Sequence, residues 1–113
     1  MQREYKLYLD DILHSIEKIE GYTRNMSYEG FAKTSLVVDA VLRNLEIIGE
    51  AVKRLPLEIK RKHSGMEWKK IAGVRDILIH EYFGINLMIV WDIVINKLPE
   101  LKVSIEQISN EVK

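Results

Sequence analysis

The chain has 113 residues, of which 47% are hydrophobic and 30% are charged, as in ordinary globular domains. This length fits one domain covering residues 1–113, and no apolar run approaches the roughly 20 residues of a transmembrane helix. The N-terminus lacks the apolar stretch of a secretory signal, and the absence of cysteine excludes disulfides and thiolate metal sites. These features predict a protein of the reducing prokaryotic cytoplasm.

The first helical pattern covers residues 5–20, where apolar side chains recur every three or four positions. We expect Gly21 to end this helix. A polar connector, residues 23–27, follows it. Ser27 fits the N-cap of the next helix, because its hydroxyl can accept a hydrogen bond from a first-turn amide.

A second, longer pattern carries apolar residues from Phe31 to Leu55 and predicts one long helix. Pro56 either closes this helix or opens a short turn through Lys62. After a polar connector, a third helix is expected to start at Met66 or Glu67.

The third pattern is lost over residues 80–84. Asn86 can cap a fourth helix covering residues 87–98, and Pro99 fits the first turn of a fifth. The sequence therefore predicts an all-α fold, an up-and-down bundle of four to five helices with short connections.

Charge is distributed unevenly, although the formal net charge is zero. Residues 53–75 contain eight basic and two acidic side chains, a local charge of +6 that leaves −6 for the rest of the chain. Such a segment can attract and hold a phosphate backbone. A solvated helix surface is an equally good explanation of any single lysine here.

Arg75, His80 and Tyr82 form the stretch whose residue types suit chemistry rather than packing. The guanidinium matches phosphate oxygens, the imidazole can exchange a proton near neutral pH, and the phenol can donate a hydrogen bond. The pattern Arg-x4-His-x-Tyr indicates a set of groups that handles a phosphodiester without a metal. Five residues of ideal helix place two positions about 140° apart, so we expect the chain to turn near His80 and direct it back toward Arg75.

This pattern resembles the signature of the HEPN superfamily (higher eukaryotes and prokaryotes nucleotide-binding domain). It resembles more closely the HepT family of ribonuclease toxins, which are paired with nucleotidyltransferase antitoxins of the MNT type. The resemblance covers nearly the whole chain and includes further matching segments: Gly49-Glu50-Ala51, Trp68-x-x-Ile71-Ala72-Gly73-Val74-Arg75, Val90-Trp91 and Leu98-Pro99.

The resemblance implies metal-independent RNA cleavage with no cofactor, in which a 2′-hydroxyl attacks the adjacent phosphorus. His80 would act as base or acid, and Arg75 would stabilise the charge on the phosphorane. One chain supplies one such pair, whereas HepT-like proteins are homodimers with the motif at the subunit interface. In HepT-like proteins the tyrosine that corresponds to Tyr82 is adenylylated by the MNT-type partner, which silences the ribonuclease.

Each of these residues also has a structural explanation. Arg75 could pair with Glu50, which lies within an apolar helix. His80 could stabilise a helix C-terminus, and Tyr82 could pack its ring. Asp76 could orient Arg75 or cap the helix locally.

The other histidines and the tryptophans do not suggest a site. His14 and His63 have no carboxylate or cysteine at metal-ligand spacing. Trp68 and Trp91 are expected in the core or an interface rather than as platforms for bases.

Three functions remain compatible with the sequence. The first is an endoribonuclease toxin, and the second is a non-catalytic nucleotide- or RNA-binding module that acts as partner subunit of a nucleotidyltransferase. The third, a plain helical interaction protein, is disfavoured by the intact motif.

Overall fold

The computed structural model describes the backbone of residues 2–80 and 86–112, and the side chains of residues 5–74 and 86–112. These residues are predominantly helical and include no β-strand, which confirms the all-α prediction. The elements in chain order are α1 (Gln2–Thr23), α2 (Tyr28–Lys33), α3 (Ser35–Lys53), α4 (Leu57–Lys62), α5 (Trp68–His80), α6 (Leu87–Asp92), a π-helical turn (Ile93–Lys97) and α7 (Leu98–Glu111).

The core is built around α3, which packs against both α1 and α5, while α1 also contacts α7. Apolar residues at helical spacing on α1, α3 and α7 meet in this core. Its fully buried side chains are Leu9, Ile12, Ile16, Ile19, Phe31, Val41, Ile48, Val52, Leu101, Ile105 and Ile108. Within the described part of the chain, no helix combines the length and the apolar character that crossing a bilayer requires.

Helix α1 is longer than its sequence pattern predicts. We expected it to end at Gly21, but it continues to Thr23, whose hydroxyl donates to the carbonyl of Ile19 at 2.8 Å. The chain leaves the helix at Asn25, whose φ of 64° is left-handed, a conformation that asparagine tolerates. The prediction failed because one glycine costs a helix only about 1 kcal/mol and does not by itself end it.

The predicted long second helix is divided at Thr34 into α2 and α3. Thr34 ends α2 and begins α3 with φ −104° and ψ 85°, and its hydroxyl donates to the carbonyl of Gly30 at 2.8 Å. Apolar periodicity continues across the break and so conceals it. The N-cap at Ser27 is confirmed, because its hydroxyl accepts from the amide of Gly30 at 3.1 Å.

The second expectation for Pro56 is the one observed. Helix α3 ends at Lys53, and Pro56 occupies the N-cap position of α4. Helix α5 starts at Trp68, within two residues of the predicted start, so this boundary was nearly correct.

Asn86 caps α6 as expected, its side-chain oxygen accepting from the amides of Met88 at 2.9 Å and Ile89 at 3.4 Å. Pro99 lies in the first turn of α7, also as expected. Between these points the helix widens, since the amide of Leu98 bonds the carbonyl of Ile93 five residues back. Proline lacks an amide proton and crowds the preceding turn, and a π turn accommodates this without breaking the helix.

Candidate functional site

The motif predicted from sequence begins on α5. The backbone of Arg75, Asp76 and His80 belongs to this helix, whereas Tyr82 lies outside the described residues. The side chains of residues 75–80 also lie outside the described part, so the contacts within the motif stay predictions.

Helical geometry fixes the relation between the two catalytic candidates along the backbone. At about 1.5 Å and 100° per residue, the Cα atoms of Arg75 and His80 are separated by about 7.5 Å along the axis and about 140° around it. The turn that we expected to direct His80 back toward Arg75 would fall on residues 81–85, which lie outside the described residues.

Glu50 lies on α3, the helix that packs against α5. Its Oε1 accepts from Nε of Arg54 at 3.1 Å, one helical turn away, and Nη2 of Arg54 lies 3.1 Å from the same oxygen. Hydrogen bonds with Tyr8, which has the larger effect, and with Glu50 raise the pKa of Arg54. Glu50 is therefore half-exposed and paired, not isolated within an apolar surface as its sequence context suggested. The expected contact with Arg75 stays a prediction.

The basic segment predicted from sequence forms the walls of an open groove. This α4–α5 groove has a volume of about 760 Å³ and runs between the end of α3, helix α4 and the start of α5. Its charged lining residues are Lys53, Lys60, Arg61, Glu67, Lys69 and Lys70. Partial burial lowers the pKa of Lys60.

Trp68 holds the two helices of this groove together. Its indole N–H donates to the carbonyls of Lys60, at 3.2 Å, and His63, at 3.0 Å, and the residue is only 7% exposed. The carbonyl of His63 also accepts from the amide of Met66. The core role expected for Trp68 is confirmed. Its specific partners, carbonyls at the end of α4, give no signal in the sequence.

Trp91 also packs as expected. It is half-buried, and its ring lies 5.0 Å from that of Phe31, centroid to centroid, at an angle of 33°. Sequence reasoning missed Asn44, a buried amide on α3 that donates to the carbonyl of Ala40 at 2.9 Å. A single asparagine within an apolar helical stripe was the signal available for it.

The two histidines outside the motif have different environments. His14 is exposed on α1. His63, at the end of α4, contacts the carboxylate of Glu111 on α7 at 3.1 Å, and Lys62 lies 3.3 Å from the same oxygen. These contacts, that of His63 first, lower the pKa of Glu111. Among the residues described, no group of three or more histidine or acidic side chains is arranged to hold a metal ion.

Comparison with known protein families supports the family resemblance noted from the sequence. The family described as ribonuclease HepT-like matches residues 12–108, which is most of the chain and includes α3, α5 and the motif. The chain therefore belongs to the HepT-like ribonuclease family, and the resemblance noted from its motifs is confirmed.

Individual relatives support the same assignment. A protein of Caldanaerobacter subterraneus subsp. tengcongensis named "putative RNase" is 45% identical over 94% of this chain and 95% of its own length. One of Thermococcus cleftensis named "probable ribonuclease HepT" is 43% identical over 96% and 98%. A longer protein of Methanocaldococcus jannaschii, named "gamma-glutamylcyclotransferase and putative RNase", is 44% identical over 99% of this chain, which spans only 50% of that relative. No solved structure matches the chain.

Proposed function

We propose that this protein is a metal-independent endoribonuclease toxin of a toxin–antitoxin pair that acts in the prokaryotic cytoplasm. The observation that carries the proposal is the sequence Arg75-x4-His80-x-Tyr82 in a chain that belongs to the HepT-like ribonuclease family. The relatives named as RNases are consistent with RNA as the substrate.

The proposed reaction is an internal transesterification. The 2′-oxygen of a ribose forms a bond to the adjacent phosphorus, and the bond from phosphorus to the 5′-oxygen of the next nucleotide breaks. A base takes the proton of the 2′-hydroxyl, and an acid gives a proton to the leaving 5′-oxygen. The products are a 2′,3′-cyclic phosphate and a 5′-hydroxyl.

His80 is the proposed proton-transfer group, because its imidazole can act as base or acid near neutral pH. Arg75 would bind the non-bridging oxygens, where its planar guanidinium stabilises the charge that develops on the phosphorane. Asp76 would orient Arg75, and Glu50 would support it from α3, the helix packed against α5.

A homodimer follows from the need for two proton-transfer groups. One chain supplies one His80, and a backbone that is helical through Arg75 and His80 separates their Cα atoms by about 140° around the axis. A two-fold axis that brings two α5 helices together would supply two imidazoles and two guanidiniums around one phosphate. We therefore propose that the active cleft lies between two subunits.

Tyr82 is the proposed control point. An MNT-type nucleotidyltransferase would transfer AMP from ATP to it: the phenol oxygen bonds to the α-phosphorus and pyrophosphate leaves. The added nucleotide places bulk and negative charge beside the cleft where RNA phosphate binds. Charge repulsion and steric exclusion would then block the substrate.

Cleavage by the purified protein tests the catalytic proposal. Incubated with RNA in EDTA and without its partner, the wild type should produce fragments that mass spectrometry identifies as ending in 2′,3′-cyclic phosphate and 5′-hydroxyl. His80→Ala should abolish cleavage and keep the dimer mass in sedimentation. His14→Ala is the matched control, because His14 is exposed on α1, and it should cut as the wild type does. A wild type that binds RNA without cutting it would replace this proposal with the binding-module function.

Mass spectrometry also tests the modification. With the partner nucleotidyltransferase and ATP, the wild type should gain the mass of AMP and lose RNA cleavage, whereas Tyr82→Phe should do neither. Tyr22→Phe is the control, since Tyr22 is an exposed tyrosine on α1, and it should be modified normally. Unchanged mass in the wild type, or full modification of Tyr82→Phe, would contradict the role given to Tyr82.

A further inference from the structure

The α4–α5 groove is lined by both charged and apolar side chains. Five cations line it, against one carboxylate, that of Glu67. Leu57, Met66 and Trp68 also line it, and Leu57 is 61% exposed. A surface of this kind suits a ligand that carries repeated negative charges on one side and flat or apolar groups on the other.

The charge of this groove is largely uncompensated. Glu67 pairs with Lys70 at 2.9 Å. The other four cations have no carboxylate partner within the described part of the chain. They are Lys53, Lys60, Arg61 and Lys69.

A second groove, of about 350 Å³ between α1 and α3, shows the opposite arrangement. Its two arginines, Arg43 and Arg54, pair with Glu46 and Glu50 on the same helix, and Asp11 also lines it. Paired surface charges in water attract a ligand weakly because their fields cancel. The α4–α5 groove therefore carries unpaired positive charge that the groove between α1 and α3 does not.

The groove is also held in shape before any ligand binds. The Trp68 indole joins the start of α5 to the end of α4, and Glu111 on α7 fixes α4 from another side through Lys62 and His63. Lys62 is thus engaged with Glu111, while Lys60 and Arg61 remain on the groove. A preformed site loses less conformational entropy when it binds.

The position of the groove relates it to the proposed catalytic motif. Lys69 lies in the first turn of α5 and Arg75 follows six residues later on the same helix, about 9 Å along the axis. Two or three stacked nucleotides cover that distance at about 3.4 Å each. The Cα atoms of Lys69 and Arg75 are also about 120° apart around the axis, so a strand with one phosphate at Arg75 must pass around α5 to place neighbouring phosphates at the groove.

We propose that the α4–α5 groove binds the phosphate backbone of the RNA substrate beside the reacting nucleotide, through Lys53, Lys60, Arg61 and Lys69. The proposal rests on the proposed function for the identity of the ligand as RNA. The lysines and the arginine neutralise successive phosphates, and the apolar lining residues contact ribose or base. Contacts in the groove raise the affinity for RNA and set which phosphate reaches the motif, where the bond is cleaved.

Salt dependence of binding tests this assignment directly. The probe is a single-stranded RNA oligonucleotide with 2′-O-methyl groups, which cannot undergo cleavage because its 2′-oxygen carries no proton. The triple variant Lys60→Gln, Arg61→Gln and Lys69→Gln should bind more weakly at low salt. Its slope of log affinity against log salt concentration should be shallower than that of the wild type by about 2, since each lost phosphate contact contributes about 0.7.

The matched control removes three exposed lysines elsewhere, Lys6→Gln, Lys18→Gln and Lys33→Gln. It changes the net charge equally and should keep the wild-type slope. Equal slopes for the groove triple and the wild type would overturn the groove assignment, and so would equal losses in both triples. A groove triple that binds RNA normally but loses binding to the nucleotidyltransferase would assign the groove to a protein partner instead.

Cleavage of unmodified RNA separates this proposal from the proposed function. If the wild type cuts RNA, the groove triple should raise KM while kcat stays near the wild-type value. If the wild type never cuts RNA, the catalytic proposal fails, and the slope measurement still decides whether the groove binds a phosphate backbone.

Discussion

Replacing Trp68 with phenylalanine tests how the α4–α5 groove is held together. The substitution keeps a buried aromatic ring and removes the indole N–H that donates to the carbonyls of Lys60 and His63. The His63 carbonyl keeps the amide of Met66 as a donor, whereas the Lys60 carbonyl loses the bond from Trp68. A part-buried carbonyl left without its partner costs about 1 kcal/mol, and the smaller ring adds about 1 kcal/mol in lost packing.

Trp91→Phe is the matched control. Trp91 is half-buried against the ring of Phe31, whereas Trp68 is buried, and the indole N–H of Trp91 donates to none of the described residues. This variant should therefore lose only the packing contribution of about 1 kcal/mol.

Urea unfolding followed by circular dichroism, at one fixed protein concentration, measures the difference. Because the slope against urea is about 1–3 kcal/mol per molar, Trp68→Phe should unfold at a urea concentration up to about 1 M lower than Trp91→Phe. Equal midpoints for the two variants would refute the argument that the indole hydrogen bonds tie α4 to α5.

Four further substitutions, one of them a control, test the local arguments by the same unfolding assay. Ser27→Ala removes the N-cap of α2 and should lower the free energy of unfolding by about 1 kcal/mol. An unchanged free energy of unfolding would show that this cap does not stabilise the start of α2. Ile105→Ala empties a fully buried position and should cost about 2–5 kcal/mol. Val103→Ala, at a residue 56% exposed, should stay within about 0.5 kcal/mol of the wild type. Glu111→Gln should destabilise the protein at neutral pH, because contact with His63 lowers the pKa of this carboxyl in the folded state. That contribution is present above the ordinary carboxyl pKa and disappears as pH falls through the lowered one, so a pH-independent difference would contradict it.

The sequence predicted most helices well because their evidence is local. Three- and four-residue apolar spacing identified α1, α3 and α7, and cap chemistry identified Ser27 and Asn86. The errors concerned boundaries within continuous patterns: Gly21 did not stop α1, and Thr34 divided the long pattern. At both places, hydrogen bonds from a threonine hydroxyl to a carbonyl four residues back accompany a helix end that periodicity does not register.

For the candidate site as well, some features were visible in the sequence and others only in the folded chain. The pattern of Arg75, His80 and Tyr82, together with its flanking segments, indicated the family before the fold was known, because each segment is local in the chain. The basic segment was also visible as composition, but its shape as a groove was not. Glu50 was expected to pair with Arg75, and the partner that the structure describes is Arg54, four residues later in the chain, a pairing that helical spacing could have indicated.

The sequence by itself determined that the chain is helical, which faces of the helices are apolar and where the motif lies, because helical periodicity and capping act over a few neighbouring residues. Tertiary structure decided that Glu111 reaches His63, 48 residues away, and that Trp68 ties the end of α4 to α5. It also decided that five cations of residues 53–70 line one groove, namely Lys53, Lys60, Arg61, Lys69 and Lys70. These features depend on how helices pack against one another, which places residues far apart in the chain, and backbone carbonyls of any residue type, within hydrogen-bonding distance.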